Sequence, residues 1–249
     1  MVQVFSFPTS DDVAQALNTY LAQASATAIA TTGRFTIAIT GGSLPATASK
    51  YLKANKAVDF SKWYVFWGDE RCVSHDHDDS NYKLVKEQLL DHVNVPAAQV
   101  FPINPTLIGN PEEAALDYHH QLASVFGNGG VPEFDCVLLG IGPDGHLCSL
   151  FPGFPQVKEA DKWVTSIRDS PKPPPSRITL TLPVLNNAKE AVFVVTGSGK
   201  SEMFKTIVED KDTSKPSTLV APKSGKLYWF VDDAASQHLS AVKPSTFKL

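Results

Sequence analysis

Among the seven histidines of this 249-residue chain, one stands where a side chain can do chemistry. His146 follows Gly140, Gly142, Pro143 and Gly145 and lies two residues beyond Asp144. An imidazole changes charge near neutral pH, and a strand that delivers an acid and a histidine at its carboxyl end has the geometry of an α/β active site. The run before them, Phe134 to Leu139, is short and apolar, as expected of a buried strand. The glycines that end it let the backbone turn sharply and lie close to a bound molecule. Of the other histidines, His119 and His120 fall inside a predicted helix. His92 and His238 fall near predicted helix C-termini, where a cation is favoured anyway. A plain strand-to-helix turn with a surface histidine would also account for the same residues taken alone.

Charge to hold a ligand would come from other loops. Only four of the 22 basic residues are arginines (Arg34, Arg71, Arg168 and Arg177), so each is worth weighing as a fork for an anion. Arg71 ends the segment Gly68-Asp69-Glu70-Arg71, directly after an apolar run. It could grip a phosphate or carboxylate bidentately while an acid such as Asp69 fixes its direction, or it could form a solvated ion pair. Thr40-Gly41-Gly42-Ser43 joins an apolar run to a segment with Pro45 near its start. Gly41 and Gly42 permit close approach, Ser43 can cap, and the N–H groups of a helix start suit a phosphate. A simple capped turn explains these residues equally. Thr196 to Ser201, TGSGKS, repeats the arrangement; a Walker A loop would need glycine at Val194, which excludes that nucleotide site. Lys200 at a helix start opposes the helix dipole, a placement that an anion shared with the helix end would resolve.

Two further patterns are weaker. Gly140 to Gly145 matches G-x-G-x-x-G, but it lies in mid-chain, contains Pro143, and is followed by Pro152, leaving room for at most two turns of helix. His75 to Asp79, HDHDD, gathers two histidines and three acids and admits a metal. A solvated loop in which Asp79 or Ser80 caps the next helix needs nothing more.

The elements that must position these loops follow from pattern. Strands are expected at 2–7, 35–39, 63–67, 100–103, 134–139, 163–167, 177–182, 191–195 and 227–231. Helices are expected at about 10–30 (started by Ser10-Asp11-Asp12 and stopped by Gly33), 45–54, 81–91, 111–126, 200–209 and 232–239. This alternation predicts an α/β fold with a mostly parallel sheet covered by helices on both faces. Ligands of such sheets collect outside the carboxyl ends of the strands, where the four loops would meet. The Pro-rich stretch Ser170 to Ser176 is an active-site flap or a plain loop, and no linker divides the chain, so residues 1–249 are expected to form a single domain.

With 26 acidic and 22 basic residues the net charge is −4, and no basic block offers itself to nucleic acid or an anionic membrane. Hydrophobic residues make up 43%, enough for a sizeable core. Three cysteines (Cys72, Cys136, Cys148) are too few and scattered for a disulfide framework or a CxxC metal site. No signal peptide or membrane-spanning run is evident, so a cytoplasmic protein is expected.

Five segments in this order and spacing resemble the 6-phosphogluconolactonase family: TGGS, WGDER with the downstream Ser80-Asn81, LLGIGPDGH…SLFPG, SRITLTLPVLNNA and VTGSGK, spanning about Thr36 to Val231. The resemblance implies a Rossmann-like fold shared with glucosamine-6-phosphate isomerases and deaminases. It implies hydrolysis of 6-phosphoglucono-δ-lactone to 6-phosphogluconate, a step of the oxidative pentose phosphate pathway, without metal or cofactor. It makes His146 the base that activates water and Asp144 its support, with backbone donors of the glycine-rich turn near the developing oxyanion and Gly142 among the substrate contacts. Gly41, Gly42, Ser43, Asp69, Arg71 and Lys200 would lie on the phosphate side, and Arg168 and Arg177 would be secondary contacts. Leu147 stands where the family usually has threonine, and Ser74 where proline is common.

The nearest rival on the same fold is a sugar-phosphate isomerase or deaminase. That class carries a glutamate soon after the histidine and typically a tyrosine after Asp-Glu. Here Leu147 to Phe151 hold no carboxylate, and Arg71 follows Glu70. A non-catalytic sugar-phosphate-binding paralogue is the other rival, disfavoured by an intact His146, Arg71 and Lys200. The expected partner is a small sugar-phosphate lactone, and the expected state a monomer.

Overall fold

The computed structural model describes residues 2–248. In chain order its elements are β1 (Val2–Phe7), α1 (Ser10–Thr32), β2 (Phe35–Ile39), α2 (Leu44–Leu52), β3 (Trp63–Trp67), β4 (Asp69–Arg71), α3 (Asn81–Gln88), β5 (Val100–Phe101) and α4 (Pro111–Phe126). They continue with β6 (Cys136–Leu139), β7 (Val164–Ile167), β8 (Arg177–Leu180), α5 (Leu182–Leu185), β9 (Glu190–Val195), α6 (Ser201–Val208), β10 (Leu227–Asp232) and α7 (Asp233–Ser236).

Seven strands form one sheet in the order β1-β10-β9-β6-β2-β3-β5, and every pairing in it is parallel. Because side chains alternate along a strand, the short apolar runs feed two cores at once. Val137 and Leu139 of β6 join Phe66, Tyr118, Phe193, Phe204 and Trp229 on one face. Cys136 and Leu138 join Leu17, Ile37, Trp63, Val85 and Phe230 on the other. The helices therefore divide, with α4 and α6 packing on the first face and α1, α2 and α3 on the second. This is the α/β layering expected from the alternation.

Helix starts are set by local chemistry. α1 is capped by Thr9, one residue before the expected Ser10, through a reciprocal capping box with Asp12, and it stops at Gly33. α3 is capped by Ser80, whose hydroxyl accepts from the Lys83 N–H at 3.1 Å. Ser43, expected to cap α2, makes no side-chain cap.

Other segments differ from what the pattern suggested. Asp69–Arg71 is a strand, not a loop. It pairs antiparallel with β8, which pairs antiparallel with β7, in a small second sheet. Val164, Ile178 and Leu180 of that sheet lie in the same core as Val137 and Phe193, so the two sheets share one interior. The segment between His146 and Pro152 is not helical; Leu147 and Leu150 exchange backbone hydrogen bonds across a tight turn in which Cys148 has φ +51°. The final helix is Asp233–Ser236, shorter than expected. No helix among the described residues is long and apolar enough to cross a membrane, and all three cysteines are free thiols.

Candidate active site

β9, β6, β2 and β3 are consecutive neighbours in the parallel sheet, so their carboxyl ends share one rim. The four loops that leave them enclose a hollow of about 210 Å³. Its wall includes Gly41, Gly42 and Ser43 from the first loop, Asp69 and Arg71 from β4, Gly142 and His146 from the glycine turn, and Lys200 from the last loop; Arg177 enters from the second sheet.

Backbone demands explain the glycine turn. A Cβ at Gly142 would lie 1.9 Å from His146 Nδ1, so only glycine lets the ring fold back over the strand end. Gly145 has φ +83°, and its N–H donates to Gly142 O at 3.0 Å, while the Gly142 N–H donates to His146 O at 2.9 Å. Both N–H groups are therefore committed inside the turn. What Gly142 gives a ligand is room rather than an N–H.

His146 is mostly buried, with 18% of its side chain exposed. Its Nδ1 lies 2.5 Å from Asp144 Oδ1. Asp144 is held down at about 2: burial opposes its ionisation, but the hydrogen bond and charge of His146, with Lys172 nearby, outweigh it. An ionised carboxylate only accepts, so the proton resides on Nδ1 and the Nε2 lone pair is left to act. Burial, the largest influence, lowers the His146 pKa and Lys172 lowers it further, while Asp144 and Asp69 raise it. The net direction favours the neutral imidazole. Asp144 is not in the wall of the hollow; it reaches the site through His146. The Phe151 ring packs 4.7 Å from the imidazole, centre to centre.

The phosphate-side candidates are held just as firmly. Arg71 Nη1 donates to Asp79 O at 2.7 Å, and its Nε is buried with no hydrogen-bond partner among the described residues. A buried guanidinium donor without a partner is costly unless a ligand accepts from it. Glu70 sets the loop geometry: its carboxylate accepts from the N–H groups of Arg71 (2.7 Å), Asn81 (2.8 Å) and Tyr82 (2.7 Å), tying β4 to the first turn of α3. Burial pushes Glu70 up to about 7, against the pull of those donors. Asp69 accepts from Ser149 Oγ at 2.7 Å and from Asn81 Nδ2. Lys200, at the cap position of α6, donates to Ile141 O at 2.5 Å, joining the last loop to the glycine turn. Burial, then Lys172, lowers its pKa. Asp232 accepts from the Gly197 N–H at 3.0 Å and fixes that last loop.

Not every candidate comes to the hollow. Arg168 lies outside it: its Nε donates to Glu112 Oε1 at 2.8 Å, its Nη2 also meets Glu112, and 58% of its side chain is exposed. A scarce arginine is no guide to position, and an acid at the start of α4 has engaged this one. Arg177 is only 3% exposed, and its guanidinium donates to the carbonyls of Lys172, Pro173 and Pro174, each at 3.0 Å. It props the Pro-rich loop and closes one side of the hollow. The HDHDD segment is divided among separate tasks. His75 Nε2 bonds Ile103 O, Asp78 pairs with Lys83, and Asp79 O takes Arg71. Among the described residues no group of three or more His, Cys, Asp or Glu side chains is arranged to hold a metal. Sequence reasoning missed Lys172 and Asp232, and met Asn81 and Ser149 only as parts of longer motifs.

The chain is 43% identical over 245 residues to the 6-phosphogluconolactonase of Rattus norvegicus, covering 96% of this chain and 94% of that one. Identity is again 43%, over 246 residues and the same shares of the two chains, to the 6-phosphogluconolactonase of Homo sapiens. Among solved structures, a 6-phosphogluconolactonase from Trypanosoma brucei superposes with a TM-score of 0.83 at 26% identity, covering 96% of this chain and 99% of that one. Residues 8–229 match the family model described as glucosamine-6-phosphate isomerases/6-phosphogluconolactonase, and the chain belongs to that family.

Proposed function

We propose that this protein hydrolyses 6-phospho-D-glucono-1,5-lactone to 6-phospho-D-gluconate, with water activated by His146. The observation that carries the reading is an imidazole hydrogen-bonded to Asp144 and sharing one hollow with Arg71 and Lys200. Relatives bearing the lactonase name at 43% identity support it.

In this reading the substrate phosphate meets Arg71, Lys200 and the N-terminal turn of α2, where the N–H groups after Gly42 and Ser43 face an anion. The lactone carbonyl then comes to His146. Nε2 takes a proton as the water oxygen bonds to the carbonyl carbon. Collapse of the tetrahedral intermediate breaks the bond to the ring oxygen, and the imidazolium returns its proton to that oxygen. Asp144 keeps Nδ1–H in place throughout. A positioned general base typically supplies about 10²–10⁴-fold, and a bound phosphate supplies orientation. A monomer acting on a small molecule is part of this reading.

The isomerase or deaminase alternative has less to work with. Asp69 is the one carboxylate among the described residues of the wall, and Ser149 and Asn81 already bond it.

The test is a lactone hydrolysis assay corrected for spontaneous ring opening. Arg71→Ala and Lys200→Ala are expected to raise KM for the phosphorylated lactone by roughly 10–100-fold, the worth of a charge-assisted hydrogen bond, and to leave glucono-1,5-lactone nearly unaffected. Equal losses on both substrates would show that these residues do not read the phosphate. Turnover of the wild type no faster than the spontaneous reaction would overturn the reading itself.

A further inference from the structure

Lys172, in the Pro-rich segment between β7 and β8, has no task in the mechanism above, yet its ammonium sits at the catalytic pair. Nζ lies 3.4 Å from Asp144 Oδ1 and 3.3 Å from His146 Nδ1. The same carboxylate oxygen takes the Nδ1 proton at 2.5 Å, so imidazole and ammonium share one acceptor.

A long side chain reaches such a place reliably only if its backbone is held. Lys172 O accepts from Arg177 Nη2 at 3.0 Å and from Ser170 Oγ at 2.9 Å, and its N–H donates back to Ser170 Oγ at 3.3 Å. Arg177 also holds the next two carbonyls, those of Pro173 and Pro174. In the second sheet Arg177 pairs directly with Arg71. One antiparallel pair thus carries both the arginine that faces the hollow and the anchor that aims Lys172.

An Asp–His pair alone has a drawback for a base: the carboxylate stabilises the imidazolium and so favours the protonated, inactive form. A second cation on the same carboxylate opposes that. The charged groups around the ring are Asp144 and Asp69, which favour its protonation, and Lys172, which disfavours it. Lys200, from the loop before α6, faces Lys172 and Asp144 in turn. Phe151 and Gly142, which also lie against the ring, carry no charge. Lys172 is therefore the one cation set directly against the imidazole.

We propose that Lys172 is a positioning residue for the reaction, sharing Asp144 with His146 so that the imidazole stays oriented by the carboxylate yet neutral enough to serve as base. The inference rests on the lactonase reading for its consequence in turnover, but the state of the imidazole can be read without turnover.

The experiment compares wild type, Lys172→Met and Lys172→Arg in the full chain. It follows kcat/KM for the phosphorylated lactone against pH and the NMR titration of the His146 ring in the free protein. In Lys172→Met the acid limb and the ring titration are expected to move together to higher pH. The loss should be ~3–10-fold on the limb and small on the plateau, and Lys172→Arg should restore both. A raised KM with limb and titration unmoved would overturn the proposal and make Lys172 a phosphate ligand. An equal loss at every pH with unmoved titration would overturn it in favour of loop support alone. If the wild type shows no lactone turnover, the function falls, and the His146 titration in Lys172→Met still decides the role of Lys172.

Discussion

His146 shows how little sequence is needed to mark a reactive side chain and how much is needed to tune it. The glycines around it were legible because a turn of this tightness admits few other residues, and a histidine beside an aspartate suggests its own chemistry. The same logic located Arg71 and Lys200 at strand ends that the fold brings to one hollow. Arg168 escaped it, since nothing local says that Glu112, 56 positions away, will engage it. Lys172 escaped for the opposite reason: a proline-rich stretch reads as backbone shape, and its one charged tip is easily passed over. His146→Ala is expected to lower kcat/KM by about 10²–10⁴-fold, the usual contribution of a general base. Fold and affinity for the product 6-phosphogluconate should be retained, as checked by circular dichroism and calorimetric titration. Turnover at the wild-type rate would remove His146 as the base. In the wild type, the acid limb of kcat/KM should lie below the ordinary histidine value, because burial disfavours the imidazolium.

At the level of elements, the parallel sheet could be foreseen and the antiparallel one could not. The apolar runs of β2, β3, β6, β9 and β10 are buried on both faces, and that pattern survives in any reading of the chain. β4 is three residues long and finds its partner across the chain, with Asp69 opposite Thr179, so neither length nor alternation reveals it. Yet that sheet carries Arg71 and Arg177 side by side and so shapes half the site. The Pro-rich loop depends on Arg177, whose buried guanidinium satisfies three carbonyls that proline neighbours leave without a ladder. Arg177→Ala should lower unfolding free energy by about 2 kcal/mol, since it removes three charge-assisted hydrogen bonds that hold the loop, as read from urea denaturation. Arg177→Lys should recover little, because an ammonium cannot span the three acceptors as a planar fork does. A stability equal to wild type in Arg177→Ala would show that the loop holds itself.

Across the whole molecule, the groups that build the site titrate in opposing senses, and this gives stability a shape in pH. Glu70 is pushed up by burial from an ordinary 4.5 to about 7, so between those values the folded chain keeps a proton that the unfolded chain has lost. Stability contributed by that proton is complete below pH 4.5 and disappears as pH rises through 7, with a full span of about 3 kcal/mol. His146 acts in reverse. Burial lowers it from 6.5, so the folded chain binds fewer protons just below that value, and stability is lost as pH falls through it. Asp144, held at about 2 against an ordinary 3.8, adds a loss only in stronger acid. Urea unfolding at pH 5.5 and pH 8 can separate the first two. Glu70→Gln should remove the decline toward alkaline pH, leaving stability to rise from pH 5.5 to pH 8 relative to wild type. His146→Ala should make the decline steeper than in wild type, because the opposing contribution is gone. Identical slopes for wild type and Glu70→Gln would mean that the three backbone N–H donors keep Glu70 ionised throughout, and that its burial between β4 and α3 carries no proton.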